Sequence, residues 1–195
     1  MRRPYKKVAR EETQQRTHEA LLDAAEEELY GEDWQRTTLA SLASKAGVTK
    51  QTLLRHFGSK EGLLLATVMR GAAKVLEQRW SAEPGNVEEA VANLLDHYEA
   101  WGERALRIGA WQHGPSALAK LSEAARQVHY EWVEFAFGPQ LERAREPQRT
   151  RLRAALIALC DVHAWWLLSH DLGLQREELS ATLIGAIKRL LDAGR

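Results

Sequence analysis

Few side chains in this sequence could do covalent or metal chemistry. There is one cysteine, Cys160, and seven histidines. His97, His113, His129, His163 and His170 never fall as a tight pair four residues apart on one helical face. The spacing therefore gives no zinc or other metal site. Asp161, His163 and His170 make a loose group on a helical stretch, better suited to capping or packing than to catalysis. A nucleophile elbow, a phosphate loop and a dinucleotide fingerprint are all missing. Cys160 sits in the apolar stretch from Leu156 to Val162 and reads as an inert buried thiol. A redox sensor there would need an exposed, activated thiolate. No enzymatic activity and no cofactor are expected.

The second chemistry open to the chain is recognition of a polyanion. Net charge is zero, but it is unevenly spread. Residues 1–10 carry Arg2, Arg3, Lys6, Lys7 and Arg10 with no acid. Residues 19–33 carry Glu19, Asp23, Glu26, Glu27, Glu28, Glu32 and Asp33 with no Lys or Arg. Residues 34–60 are again free of acids and hold Arg36, Lys45, Lys50, Arg55, His56 and Lys60. A neutral chain can bind a polyanion through such a segment. Most charge runs are only a solvated helix face, so the elements carrying this one decide the reading.

Apolar residues recur at helical spacing almost throughout, and Gly and Pro fall between the periodic stretches. The fold class is all-α. A first helix is expected from about Glu12 to Tyr30, ending near Gly31. A second begins at Thr37 or Thr38, either of which can cap it. Gly47 permits a sharp turn, Val48 plugs the gap, and Thr49 caps a third helix ending near Phe57. A fourth starts at Lys60 and runs towards Trp80. Pro84 and Gly85 mark the clearest linker. Helical stretches then follow over Val87–Leu106, a short one around Ile108–His113, Ser116–Phe137 stopped by Gly138-Pro139, Gln148–His170 and Arg176–Ala193.

Thr38 to Phe57 has the parts of a helix-turn-helix: two short helices, a glycine turn and one polar face on the second helix. Leu42, Ala43, Val48, Leu53 and Phe57 can form its small core. Lys50, Gln51, Thr52 and Arg55 are left for a DNA groove, where small polar residues approach base edges closely.

The segment from Thr37 to Leu64 resembles the DNA-binding region of the tetracycline-repressor (TetR) family. Ala46-Gly47-Val48 stands at its turn and His56-Phe57-Gly58-Ser59-Lys60-Glu61 at its end. Leu21-Leu22-Asp23-Ala24-Ala25 and the aromatic Trp34 also sit where that family places helix 1 and the aromatic before helix 2. The resemblance covers residues 12–65. It implies an N-terminal three-helix DNA-binding domain over residues 1–60, with a basic arm. It also implies a C-terminal ligand-binding and dimerisation bundle over residues 61–195, with the helix at 60–80 as connector. By position it assigns Thr38 to a phosphate, Lys50, Gln51 and Thr52 to the major groove, and His56 to the vicinity of the DNA backbone. Thr49 and Arg55 complete the DNA-facing set, and Lys60 would meet a phosphate at a helix N-terminus. Two positions depart from the family pattern. Leu54 replaces the usual Tyr, so one backbone contact is lost, and Asp33 replaces the usual Gly before Trp34. The basic arm could reach a groove or remain an ordinary tail.

Six of the seven tryptophans lie beyond residue 79. On the resemblance, this region senses a small molecule and dimerises. Trp101, Trp111, Trp132, Trp165 and Trp166 could line an apolar pocket, with His97, His129 or His163 as polar handles. Each could equally be ordinary core. Leu156, Leu159, Leu183, Ile187 and Leu190 lie on stripes of the last two helices that would form a four-helix dimer interface. The implied function is a repressor released from a palindromic double-stranded DNA operator by a small apolar or aromatic effector. Two alternatives stay open: an effector-independent activator of the same family, and an all-α ligand-binding or enzymatic bundle with a vestigial DNA-binding domain. No apolar run reaches the length of a membrane span. With no secretory signal and a single cysteine, a cytoplasmic location is expected.

Overall fold

The computed structural model describes residues 3–29, 34, 36–110 and 116–193. Among them the regular elements are helical: α1 (Arg3–Leu29), α2 (Leu39–Lys45), α3 (Lys50–Phe57), α4 (Lys60–Arg79), α5 (Val87–Ala110), α6 (Ser116–Arg143), α7 (Gln148–Leu159), α8 (Val162–Trp166) with a π-helical turn over Leu167–Asp171, and α9 (Arg176–Ala193). The chain forms two compact units, Met1–Ala73 and Lys74–Arg195. Their boundary falls inside α4.

In the first unit, α1 buries Leu21, Leu22, Ala24, Ala25 and Leu29 with Leu42, Ala43, Leu53 and Leu63. Three turns set the geometry. Thr38 caps α2: its hydroxyl accepts the Ser41 N–H at 3.0 Å, while the Ser41 hydroxyl accepts the Thr38 N–H at 3.1 Å. Gly47 at φ 66° lets the chain reverse, and the Val48 N–H bonds the Ala43 carbonyl at 2.8 Å. Thr49 then caps α3, accepting the Thr52 N–H at 3.2 Å. Gly58 at φ 74° ends α3, and Ser59 caps α4 by accepting the Gly62 N–H at 3.0 Å. Ser, Thr and Gly at these positions satisfy orphan backbone groups or adopt a left-handed backbone cheaply. The expected α2, α3 and α4 boundaries hold to within a residue. By contrast, α1 starts at Arg3, well before the expected Glu12, so residues 3–10 of the basic arm are helical. Gly31 and Asp33 lie outside the described residues.

The second unit has one core, in which Leu94, Leu95, Trp132, Val133, Phe137, Leu141, Leu156, Cys160, Leu183 and Ile187 are fully buried. Two expected breaks shift. Helix α5 runs unbroken through Ile108 to Ala110. Helix α6 does not stop at Pro139 but continues to Arg143. A mid-helix proline removes a hydrogen bond, and the loop before α5 docks beside that gap. The Gly85 N–H bonds the Ala136 carbonyl at 2.8 Å, and Gln140 Nε2 donates to the Gly85 carbonyl at 2.7 Å.

The helix expected over Gln148–His170 is instead broken, with α7 and α8 bent by 46°. Asp161 causes the break by capping α8, its carboxylate accepting the His163 N–H at 2.8 Å. The freed Cys160 carbonyl accepts the Tyr98 hydroxyl at 2.8 Å. Asp161 thus caps, as its sequence setting suggested. Among the described residues, no single helix is long and apolar enough to cross a membrane.

Candidate nucleic-acid interface and the buried cluster of the second unit

The acids of α1 are spent inside the first unit. Lys45 on α2 reaches Glu27 at 2.8 Å and Glu28 at 2.7 Å. Arg70 on α4 reaches Asp23 at 2.7 Å, Glu19 at 3.4 Å and Glu26. Lys45 holds the Glu28 carboxyl below its usual range, the hydrogen bond being the largest cause. Glu19, Asp23, Glu26, Glu27 and Glu28 therefore neutralise cations on the flanks of α2 and α4.

The face of α3 is different. Lys50, Gln51 and Arg55 are exposed, and Lys50 and Gln51 make no side-chain hydrogen bond or ion pair among the described residues. Long cationic and amide side chains left this way are available to phosphates and base edges. The two threonines are less free. Thr49 and Thr52 hydroxyls bond each other at 3.0 Å, and Thr52 is half-buried. Thr38 is exposed, and its hydroxyl meets that of Ser41 at 3.2 Å.

His56 is half-buried beside His18 of α1, with ring centroids 6.0 Å apart, and His18 stacks on Phe57 at 4.7 Å. Burial first, then Arg55 and His18, push the His56 pKa down. It is a neutral hydrogen-bonding group near neutral pH, not an added cation. Leu54 is half-buried, so it contributes to packing where the resemblance would place a polar aromatic.

Lys60 has a structural duty that the sequence did not reveal. Its Nζ donates to the Trp34 carbonyl at 2.6 Å and lies 4.8 Å from the centre of the Trp34 ring. This contact anchors Trp34, just before α2, to the start of α4. Gly62, one turn into α4, is also required. A Cβ there would stand 2.1 Å from the Phe57 carbonyl oxygen.

The residues expected to handle a ligand separate into two groups. His97, His129 and Trp132 lie around a residue not singled out from sequence, Arg79 at the end of α4. Arg79 is 2% exposed, and its guanidinium carbon lies 4.1 Å from the Trp132 ring centre and 5.8 Å from that of Tyr98. Its Nη2 stands 3.5 Å from His129 Nδ1. His129 Nε2 is 3.0 Å from the Ile157 carbonyl, which can only accept. The neutral ring therefore carries its proton on Nε2 and turns the Nδ1 lone pair to Arg79. Burial, then Arg79 and His129, push the His97 pKa down to about 3. Nothing in the local sequence Leu76-Glu-Gln-Arg-Trp80 marks Arg79 as buried. Only packing reveals it.

The second group does not join this cluster. Trp101 is half-buried, with the Arg104 guanidinium 4.7 Å from its ring centre. Trp166 is half-buried and stacks on the His170 ring at 3.7 Å. The expectation for His163 is corrected: its side chain is exposed and held by Asp161 at 2.7 Å, because α8 begins there. Trp111 lies outside the described residues. A separate cavity of about 310 Å³ is lined by Val87, Gln140, Arg143, Leu152, Lys188 and Leu191, among others, and includes none of the Arg79 cluster. Cys160 is fully buried, and burial pushes its thiol up to about 12, so it is not an activated nucleophile.

The expected dimer stripe also needs correction. Leu156, Leu183 and Ile187 are at most 1% exposed within one protomer. Their apolar area is already used in this chain's own core, because α9 packs on both α5 and α7. Leu159 and Leu190 are half-buried and keep area to offer. Leu167, which lies on the expected stripe, and Leu172 are exposed at the α8 end.

Comparison with known proteins agrees with this geometry. Residues 21–67 match the family described as bacterial regulatory proteins, tetR family. Over 84 residues the chain is 32% identical to the HTH-type transcriptional regulator AlkX of Mycobacterium tuberculosis (strain ATCC 25618 / H37Rv). That match spans 43% of this chain and 36% of the relative, so the chain matches little more than a third of that protein's length. A tetR-family transcriptional regulator from Streptomyces coelicolor superposes with a TM-score of 0.67 at 16% identity, over 91% of this chain and 81% of its own. A transcriptional regulator from Rhodococcus sp. Rha1 superposes at 0.64 and 19% identity, over 92% and 96% respectively. These two likenesses show the fold.

Proposed function

We propose, from the match of residues 21–67 to the tetR family of bacterial regulatory proteins and the likeness to AlkX, that the chain is a DNA-binding transcriptional repressor, released from a two-fold operator by a small organic effector. The exposed face of α3 carries this reading. Lys50, Gln51 and Arg55 stand free of acids there, while the neighbouring acids of α1 are paired with Lys45 and Arg70. Lys50 and Gln51 read base edges, Arg55 and Lys60 meet phosphates, Thr38 supports a phosphate at the start of α2, and the Thr49 cap fixes the pitch of α3.

Residues 1–60 act as the DNA-reading domain and residues 61–195 as the sensing and dimerising domain, with α4 belonging to both. Two copies pair through the apolar area left on Leu159, Leu167 and Leu190, so the operator is an imperfect palindrome. The effector binds in the second unit and lowers operator affinity by preferring the non-binding conformation, a coupling of typically about 1–3 kcal/mol.

Selection of bound sequences from random duplex DNA tests this reading. A recovered palindrome, with preferences altered in Lys50→Ala or Gln51→Ala, supports it. Binding no tighter than to bulk DNA refutes it.

A further inference from the structure

Among the described residues, Arg79 is a buried cation without a counter-ion. No carboxylate bonds it among the described residues, and Nη1, fully removed from solvent, has no hydrogen-bond partner. Two neighbours are in the same state: His97 Nδ1 and Trp132 Nε1 are buried and unpartnered. Asp161 is the nearby acid, and its Oδ1 already holds the His163 N–H and ring. A buried guanidinium in this condition costs several kcal/mol unless something offsets it. The faces of Trp132 and Tyr98 supply cation–π attraction, which compensates only in part.

The guanidinium is held in place nonetheless. Gln78 Nε2 donates to the Asn93 carbonyl at 2.8 Å, and Asn93 Nδ2 donates to the Gln78 carbonyl at 2.6 Å. These reciprocal bonds fix the last turn of α4 against α5. One fixed charge, two unpartnered ring nitrogens and an aromatic wall together make an arrangement that suits an anion.

We propose that the Arg79, His97, His129 and Trp132 cluster is the recognition end of the effector site, and that the effector is a small organic monocarboxylate with an apolar or aromatic body. This rests on the reading of the second unit as the sensing domain. A carboxylate is the anion that matches. It accepts from a guanidinium edge in charge-assisted hydrogen bonds and has lone pairs left for Trp132 Nε1–H and a His97 Nδ1–H tautomer. The cluster offers one formal charge, so a dianionic phosphate would remain under-compensated in the same enclosure. Burial first, and the Arg79 cation after it, lower the proton affinity of His97 and His129, and a bound carboxylate would offset the part that Arg79 contributes.

The test uses the full chain and two matched probe series. One is straight-chain acids from butanoate to hexadecanoate, the other aryl acids such as phenylacetate and 4-phenylbutanoate, each beside its methyl ester. Thermal melting and tryptophan fluorescence read binding. Operator affinity is measured in parallel.

At least one acid is expected to raise the melting temperature and perturb the fluorescence, with its ester about 10- to 100-fold weaker. Arg79→Met is expected to melt higher than the unliganded parent, because an uncompensated buried charge is gone, and to bind acid and ester alike. Arg79→Lys keeps part of the acid preference. Three results overturn the proposal: no acid in either series binds, ester and acid bind the parent equally, or Arg79→Met retains the acid preference. Acid-selective binding that leaves operator affinity unchanged supports the carboxylate site while refuting effector-controlled release. Intact operator binding without acid binding refutes the site alone.

Discussion

Arg55→Ala and Lys45→Ala remove one positive charge each from neighbouring helices, yet they should affect DNA binding very differently. Lys45 is already engaged with Glu27 and Glu28 at 2.8 and 2.7 Å. Arg55 and Lys50 both lie exposed on α3. Each phosphate neutralised adds about 0.9 to the slope of log affinity against log salt on B-DNA. A two-fold dimer presents Arg55 twice, so Arg55→Ala should make the slope shallower by about 1.8. Between about 50 and 200 mM salt, the variant's affinity should then fall about 12-fold less than the parent's. Lys45→Ala should leave the slope unchanged, because that lysine releases no counter-ion from DNA. Fluorescence anisotropy of a labelled operator duplex across a potassium chloride series measures both. Equal slope changes in the two variants, or a larger one in Lys45→Ala, would refute the claim that ion pairing inside the first unit decides which cations face DNA.

Two glycines of α4 should respond in opposite directions. Gly71→Ala meets open space and should stabilise by about 0.5–1 kcal/mol through helix propensity. Gly62→Ala drives a Cβ to 2.1 Å from the Phe57 carbonyl oxygen and should cost about 1–2 kcal/mol net, with weaker operator binding; denaturant melts showing the same sign for both would contradict this geometry. Leu183→Glu should unfold the protomer, whereas Leu190→Glu should leave helical content intact and weaken the dimer in sedimentation. Dissociation without unfolding in Leu183→Glu would restore that residue to the interface.

The buried His97 provides a pH prediction. Its proton affinity in the fold is depressed from 6.5 to about 3, so the neutral form is favoured. The stability it contributes is fully present above about pH 6.5 and is lost as pH falls towards 3, by on the order of 4–5 kcal/mol in total. His97→Gln should therefore flatten the fall in melting temperature between neutral and acid pH, and parallel profiles for parent and variant would count against it.

The sequence alone determined the helical class and the parts of the helix-turn-helix. Both rest on short-range rules. Apolar spacing sets which face of a helix is buried, and Thr38, Gly47, Thr49, Gly58 and Ser59 satisfy or turn the backbone within a few residues of themselves. The Lys50 and Gln51 face was legible for the same reason, since an acid-free polar stripe on a short helix is a local pattern.

Tertiary structure decided what depended on distant neighbours. The break at Asp161 became clear only once Tyr98, 62 residues away from Cys160, took the freed carbonyl. Pro139 stays inside α6, and Gly85, more than 50 residues earlier, docks beside it. Leu156, Leu183 and Ile187 lie on stripes that look alike whether they meet their own core or a second copy, and packing assigned them to the core. Arg79 carries no local mark at all. Its burial against Trp132 and His129, 53 and 50 residues further along the chain, turned an ordinary helix-end arginine into an uncompensated charge. Hydrophobic period and cap chemistry are written within one helical turn; charge balance is a property of whatever the fold brings together.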